Sequence, residues 1–198
     1  GQRWALAETS FKFHASCRHT HPAADAMMTI RETMGLDPAD VDRVTVFVYR
    51  AAREVLGSVS MPETVHQAKF SMGFVLALIL YRGRAGVADF NEESIADPLL
   101  REFTTRVVMI EDEDIEAMYP KTWCARVEVV SHSGKIYSAT VDAPRGDPQN
   151  PLSREELEAK VKMLAEYSST CGGQTVERII ENCWRLPNLA DMRQAIVP

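Results

Sequence analysis

The chain has 198 residues, of which 45% are hydrophobic and 25% are charged, and its formal net charge is −6. These values are typical of a globular domain of ordinary size and exclude a disordered chain or a collagen-like repeat. The acidic balance argues against a general attraction to nucleic acid or to an anionic membrane. The longest apolar run, residues 75–80, is too short for a membrane-spanning helix, which needs about 20 such residues.

Alternating and helical spacings of apolar residues predict the secondary structure in chain order. The predicted strands are residues 5–14, 41–49, 106–110, 123–131 and 136–141. The predicted helices are residues 22–34, 62–82, 92–103, 153–165, 175–184 and 189–196. Strands and helices do not alternate regularly. The order therefore favours an α+β fold, with a small antiparallel or mixed sheet packed with helices, over a doubly wound sheet.

Several local signals support these elements. The helix at 62–82 becomes apolar nearly all round towards its end, which is typical of a central buried helix. Gly134 lies at the turn between the last two strands and predicts a hairpin. Ser153 and Glu156 have the spacing of a capping box, in which each side chain satisfies a backbone N–H of the other at a helix start.

Reactive side chains are densest between residues 12 and 21. This cluster consists of Lys12, His14, Cys17, Arg18, His19 and His21. On the predicted strand Lys12 and His14 share a face, and the loop after it leads into a helix N-terminus. A helix N-terminus has unpaired backbone N–H groups and is the positive end of the helix dipole, and both features favour binding of a carboxylate or a phosphate. The cluster therefore predicts a pocket for a small polycarboxylate or a phosphorylated metabolite.

Other interpretations of these residues remain open. Lys12 also fits a solvated strand residue, and the histidines fit capping or surface groups. The crowded histidines and Cys17 could suggest a metal site, but their spacing matches no standard zinc pattern, and Lys12 and Arg18 would repel a cation. Lys69, on the predicted central helix, either extends its ammonium to water or belongs to a site. The acidic run 111–116 receives no role, since such runs are usually solvated.

The four cysteines stand at positions 17, 124, 171 and 183 without a C-x-x-C pair. This spacing argues against a zinc ribbon and against a thioredoxin-type redox motif. We therefore expect a reduced, cytoplasmic protein without a signal peptide.

Three segments in this order resemble the MmgE/PrpD family. Lys12-Phe-His-Ala-Ser-Cys-Arg-His-Thr-His-Pro-Ala-Ala-Asp25 is similar to its K-x-[YF]-P-x-C-x-x-T-H-x-x-x-D stretch. Gln67-Ala-Lys-Phe-Ser71 is similar to its A-[KR]-[FH]-S motif, and residues 144–153 are similar to its P-x-G-x-x-x-x-P-L-[ST] loop before a capped helix. The three segments are spread, in this order, over nearly the whole chain.

The resemblance implies a cofactor-independent lyase or isomerase that moves a proton next to a carboxylate of a small polycarboxylate. It also implies that residues 1–168 form the family's C-terminal α+β domain. Residues 169–198 would be closing helices that pack on an N-terminal helical domain. That domain supplies acid/base groups in the family, so we expect this chain to be inactive alone. We further expect a homo-oligomer, such as a dimer.

The resemblance also assigns roles to individual residues. Lys12 would hold a substrate carboxylate and stabilise the charge of an enolate-like transition state. Cys17 would line the pocket or take part in proton transfer. Arg18, His19 and His21 would bind substrate carboxylates.

Lys69, from the second motif, is a further candidate for substrate binding. His14 and Ala15 depart from the family pattern, and Phe74 stands where some members carry tyrosine. Without that hydroxyl we expect a 2-methylcitrate dehydratase-like or isomerase reaction rather than a decarboxylation. The alternative is a stand-alone module that binds a polycarboxylate, or serves assembly, without catalysis.

Overall fold

The computed structural model describes residues 2, 4–169, 171–191 and 193, and the chain's own contacts divide it into two units, Gly1–Pro151 and Leu152–Pro198. The helices of the first unit are α1 His21–Thr33, α2 Arg50–Leu56, α3 Val65–Ala68, α4 Met72–Arg82, α5 Glu92–Ala96, α6 Pro98–Thr105 and α7 Glu113–Met118. Its strands are β1 Val41–Val48, β2 Val107–Glu111, β3 Ala125–Ser131 and β4 Ile136–Val141. The second unit contains α8 Arg154–Ser168 and α9 Gly173–Arg185.

The first unit is built around a mixed sheet with the strand order β2-β1-β3-β4. Strand β2 runs parallel to β1, whereas the other neighbours are antiparallel. Val44, Val46 and Val48 of β1 are almost fully buried, as the alternation of the sequence predicts. The prediction of an α+β fold is therefore confirmed.

Helix α4 lies in the hydrophobic core, and every residue from Met72 to Leu80 is buried. It packs against α1 and α6, and α1 packs in turn against β3 and β4. Gly83 ends α4 with φ +73°, a left-handed conformation that glycine adopts without a steric penalty. The predicted central buried helix is therefore correct in its second half.

The first half of that prediction is wrong, because the helix is interrupted between α3 and α4. The Ser71 side chain accepts a hydrogen bond from the Phe74 backbone N–H and starts α4 anew. Just before it, the Lys69 carbonyl accepts from the backbone N–H of Cys17 at 2.8 Å. The predicted helix 92–103 is likewise divided, because Asp97 caps a new helix whose first residue is Pro98.

The predicted strand at residues 5–14 is also wrong. Residues Ala5–Glu8 form a 3-10 turn, and no regular element follows until Arg18. Phe11 donates its backbone N–H to Gly146, and Ala15 donates to Ala85, so these hydrogen bonds go to separate loops and form no ladder.

The sequence reasoning also missed helices α2 and α7. The predicted hairpin is confirmed, with Gly134 at φ +82°, and so is the capping box of Ser153 and Glu156 at the start of α8. Of the predicted helix 189–196, residues 192 and 194–196 lie outside the described residues, and residues 189–191 are not helical. Among the described residues, no helix has the length and apolarity needed to cross a membrane.

Candidate functional site

The predicted cluster lies on an irregular segment, residues 11–21, which we call the site segment. Three backbone hydrogen bonds of 2.8 Å fix it to loops that are distant in sequence. Phe11 donates to Gly146, Ala15 to Ala85 and Cys17 to Lys69. Because each partner lies in a different loop, the segment takes its shape from tertiary contacts.

Side chains close the turn in the middle of the site segment. Ser16 Oγ lies 2.7 Å from Thr20 Oγ1, which donates to the Cys17 carbonyl at 2.8 Å. The Ser16 carbonyl accepts a hydrogen bond from the Lys12 ammonium at 3.2 Å. The turn leads through the 3-10 residues Arg18–Thr20 directly into α1. The ammonium of Lys12 is thereby held beside the residues that precede this helix.

A buried polar layer lies beneath this turn. His14 Nε2 donates to Asp25 Oδ1 at 2.8 Å, and Asp25 Oδ2 accepts from the Arg145 backbone N–H at 2.6 Å. The His21 ring lies 5.2 Å from the His14 ring, and its Nε2 has no hydrogen-bond partner among the described residues. Burial, followed by the nearby His14, lowers the pKa of His21 to about 3, so this imidazole is neutral.

A second, more accessible layer involves aromatic rings. Arg18 forms an ion pair with Asp147, and its guanidinium lies 4.7 Å from the centroid of the Trp123 ring. His19 stacks on the same tryptophan, and its Nδ1 lies 2.8 Å from the hydroxyl of Tyr49. The cation and the imidazole are therefore both held in fixed orientations.

The structure brings the predicted site residues into one region. Lys12 is exposed, Cys17 is half-buried with a free thiol, and Arg18 and His19 are half-buried. Lys69 contacts the site segment through its backbone carbonyl, which accepts from the Cys17 N–H. Its ammonium lies 5.9 Å from the centroid of the Phe90 ring.

His21 is nearly fully buried, at 1% exposure, and in this chain its ring does not reach the surface. Among the described residues, no group of three or more histidine, cysteine or acidic side chains is placed to hold a metal ion.

Sequence reasoning missed four residues of this region: Asp25, Tyr49, Trp123 and Asp147. Asp25 and Asp147 belong to the segments that resemble the family, so the resemblance carried a signal for both. Tyr49 and Trp123 had no such signal, because each joins the site only where a strand end and a loop meet the site segment.

A separate cavity of about 470 Å³ lies among α2, α4, α6 and β2. Its wall is mainly apolar and includes Leu56, Met61, Met72, Val107 and Met109. None of the predicted site residues lines it. This cavity and the cluster of predicted site residues are therefore separate features of the first unit.

Fold and site together define an α+β domain that carries a cluster of cationic and imidazole side chains. The family model of the MmgE/PrpD C-terminal domain matches residues 14–186. The chain therefore belongs to the MmgE/PrpD family, as the resemblance predicted.

Two curated relatives are similar over almost the whole chain. Cis-aconitate decarboxylase of Homo sapiens is 27% identical in an alignment of 192 residues, which covers 95% of this chain and 39% of that protein. The enzyme of the same name from Mus musculus is 26% identical over 196 residues, with the same coverage. The chain thus spans about two-fifths of the length of these relatives. These similarities support a lyase-like member of the family.

Proposed function

We propose that this chain supplies the carboxylate-binding part of the active site of a polycarboxylate lyase or isomerase. Lys12 is the residue that carries the proposal. Its ammonium is exposed and, within the described part of the chain, donates one hydrogen bond, to the Ser16 carbonyl, whereas an ammonium has three donors. The other donors can therefore reach a substrate carboxylate without a buried ion pair being broken.

The chemistry follows from that contact. Removal of a proton from the carbon next to a carboxylate places the electron pair on the carboxylate oxygens, as in an enolate. A fixed ammonium stabilises this charge more than it stabilises the ground state, and this difference lowers the barrier. Departure of a hydroxide from the neighbouring carbon then gives an alkene and, with a proton, water.

The other predicted residues support this role to different degrees. Cys17 is half-buried next to Lys69 and would line the pocket or move a proton. Arg18 is already paired with Asp147, so a substrate carboxylate must share or replace that partner. Buried His21 would act through the packing of the site segment, since its ring is not exposed.

The relatives' greater length supports a site shared with a further domain. Further acid/base groups would come from an N-terminal helical domain, and residues 1–198 alone would bind but not turn over substrate. We also propose a homo-oligomer in the cytoplasm that works without a cofactor.

The candidate reactions are a dehydration or isomerisation on one side and a decarboxylation on the other, and Phe74 does not separate them. The sequence favours a 2-methylcitrate dehydratase-like or isomerase reaction because position 74 lacks a tyrosine hydroxyl. Phe74 is completely buried, with its ring centroid 6.3 Å from that of Phe90, so a hydroxyl there would lie in the core of this unit. Decarboxylation of cis-aconitate, which the names of both relatives state, is therefore the second candidate.

The test compares Lys12→Ala with Lys135→Ala in the whole protein as its gene encodes it, which we call the encoded protein. Lys135 is an exposed lysine of the hairpin turn and serves as the matched control. Turnover of 2-methylcitrate is followed by alkene absorbance and that of cis-aconitate by CO2 release, and binding of both and of citrate is measured by calorimetry. We expect Lys12→Ala to lower affinity about tenfold or more, as loss of a charge-assisted hydrogen bond does, and Lys135→Ala to change nothing.

The outcome also separates the function classes. Turnover that depends on Lys12 supports the lyase, and binding that depends on Lys12 without turnover by the encoded protein supports a binding module. Equal affinity in both variants would show that the site segment does not bind the carboxylate through Lys12, and the proposal would be wrong.

A further inference from the structure

The ring of His19 is held in place on two sides. One face stacks on Trp123, with 4.8 Å between centroids and 27° between planes. At its edge, Nδ1 lies 2.8 Å from the Tyr49 hydroxyl. Stacking fixes the plane of the imidazole and the hydrogen bond fixes its rotation within that plane. The opposite nitrogen, Nε2, has no hydrogen-bond partner among the described residues, and the side chain is only partly buried.

The burial of Tyr49 determines the direction of the Tyr49–His19 hydrogen bond. Tyr49 is completely buried, and its ring stacks on Tyr119 with 4.2 Å between centroids. Its hydroxyl has no other hydrogen-bond partner among the described residues. A buried O–H left without an acceptor costs free energy, so the hydroxyl donates and His19 Nδ1 accepts. Burial also raises the pKa of Tyr49, which keeps its proton on the phenol.

The protonation state of His19 then follows. Burial and the neighbouring Arg18 lower the pKa of His19, so the ring is neutral near pH 7. A neutral imidazole has one donor and one acceptor nitrogen. Since Nδ1 accepts from Tyr49, the proton is on Nε2.

We infer that Tyr49 and Trp123 hold His19 as a fixed hydrogen-bond donor, whose Nε2–H recognises a carboxylate oxygen of the substrate. His19 is then a specificity residue and not a general base, because its available nitrogen already carries a proton. Tyr49 is a positioning residue that sets the tautomer. This inference rests on the proposed function, since the oxygen it recognises belongs to the same polycarboxylate that Lys12 binds.

Its location supports a shared ligand. His19 and Lys12 belong to the same closed turn, in which Lys12 donates to the Ser16 carbonyl and Ser16 contacts Thr20, the neighbour of His19. A compact ligand with more than one carboxylate can therefore contact a cation and a neutral donor at once. The neutral Nε2–H donor selects ligands by the direction of a carboxylate oxygen, and it does so without the cost of desolvating a second cation.

The first experiment measures the tautomer directly by 15N–1H correlation spectra of the histidine rings in the encoded protein, with His19 assigned by substitution. We expect the Nε2–H form in the wild-type protein and a mixture of tautomers in Tyr49→Phe, which keeps the ring and its packing. Tyr167→Phe, at an exposed tyrosine of α8, is the matched control. An Nδ1–H ring in the wild-type protein overturns the inference, and so does a tautomer that Tyr49→Phe leaves unchanged.

The second experiment measures the affinity for citrate, 2-methylcitrate and cis-aconitate by calorimetry. A glutamine amide can place an N–H near the position of Nε2, whereas an asparagine amide reaches only the position of Nδ1. We expect His19→Gln to stay within about threefold of the wild-type affinity and His19→Asn to lose about tenfold. His132→Asn, at an exposed histidine of the hairpin, should have no effect.

Failures of the two proposals are distinguishable. If Lys12→Ala weakens binding but His19→Asn and His19→Gln behave like the wild-type protein, only the donor role of His19 fails. If Lys12→Ala has no effect, or if none of the three ligands binds, the proposed function fails and this inference fails with it.

Discussion

Helix α4 and the site segment contain buried residues of the same unit, but different interactions stabilise them. In α4 every residue from Met72 to Leu80 is buried, and nearly all are apolar. In the site segment the buried residues are polar: His14, Ser16, Thr20 and His21. The helix gains stability from burial that needs no particular partner, whereas each polar group needs a specific one. Substitutions should therefore act on stability alone in α4 and on both stability and ligand binding in the site segment.

The largest effect is expected in the core. Leu76→Ala removes a completely buried side chain of α4 and leaves a cavity, so it should lower the free energy of unfolding by about 2–5 kcal/mol. Leu99→Ala, at a leucine of α6 that is 56% exposed, should change it by less than about 0.5 kcal/mol. Urea denaturation measures both, and calorimetry of the folded variants should give wild-type ligand affinity. If folded Leu76→Ala bound the ligand more weakly than the wild-type protein, substitutions in α4 would not act on stability alone and the difference between the two regions would be wrong.

An intermediate effect is expected at Asp25, which joins the site segment to the loop that carries Arg145. Asp25→Asn loses the charge that pairs with His14 and weakens the acceptor for the Arg145 N–H, which should cost about 2–3 kcal/mol. Because this loop also carries Asp147, the partner of Arg18, affinity for citrate should fall as well.

Asp97→Asn is the control, since Asp97 caps α6 and pairs with Arg82 outside the site segment. It should lower the free energy of unfolding without changing the affinity. If Asp25→Asn likewise left the affinity unchanged, Asp25 would serve stability only.

A smaller and pH-dependent effect is expected from His21. Its pKa is lowered to about 3 in the folded protein, whereas in the unfolded chain it has the ordinary value of 6.5. Below pH 6.5 the unfolded chain therefore binds a proton at His21, whereas the folded protein does not bind it until the pH approaches 3. The free energy of unfolding is unaffected by His21 above pH 6.5 and falls as the pH is lowered towards 3. At pH 5 this loss is about 2 kcal/mol.

His21→Phe should remove this part of the pH dependence, and His132→Asn, at an exposed histidine, should retain it. Denaturation series between pH 7 and pH 4 measure the difference. Parallel curves for wild type and His21→Phe would show that this ring titrates normally and would weaken the description of a buried neutral layer.

The sequence alone predicted the elements whose burial pattern is periodic. Val44, Val46 and Val48 alternate because one face of β1 meets the core. The capping box of Ser153 and Glu156 and the turn at Gly134 are equally local, because the residues that form them are close in the chain. The reactive cluster was also visible, since its members lie within ten residues.

Tertiary structure decided what depends on distant partners. Phe11 and Phe13 alternate like strand residues, yet the backbone N–H groups of Phe11, Ala15 and Cys17 bond to three separate loops, so no strand forms. The interruption of the predicted long helix at Lys69–Ser71 frees a carbonyl for Cys17. Tyr49 and Trp123 reach His19 from parts of the chain 30 and more residues away. Apolar burial is a property of a pattern, but a hydrogen-bonded polar site requires particular atoms at particular distances, and only the folded chain supplies those.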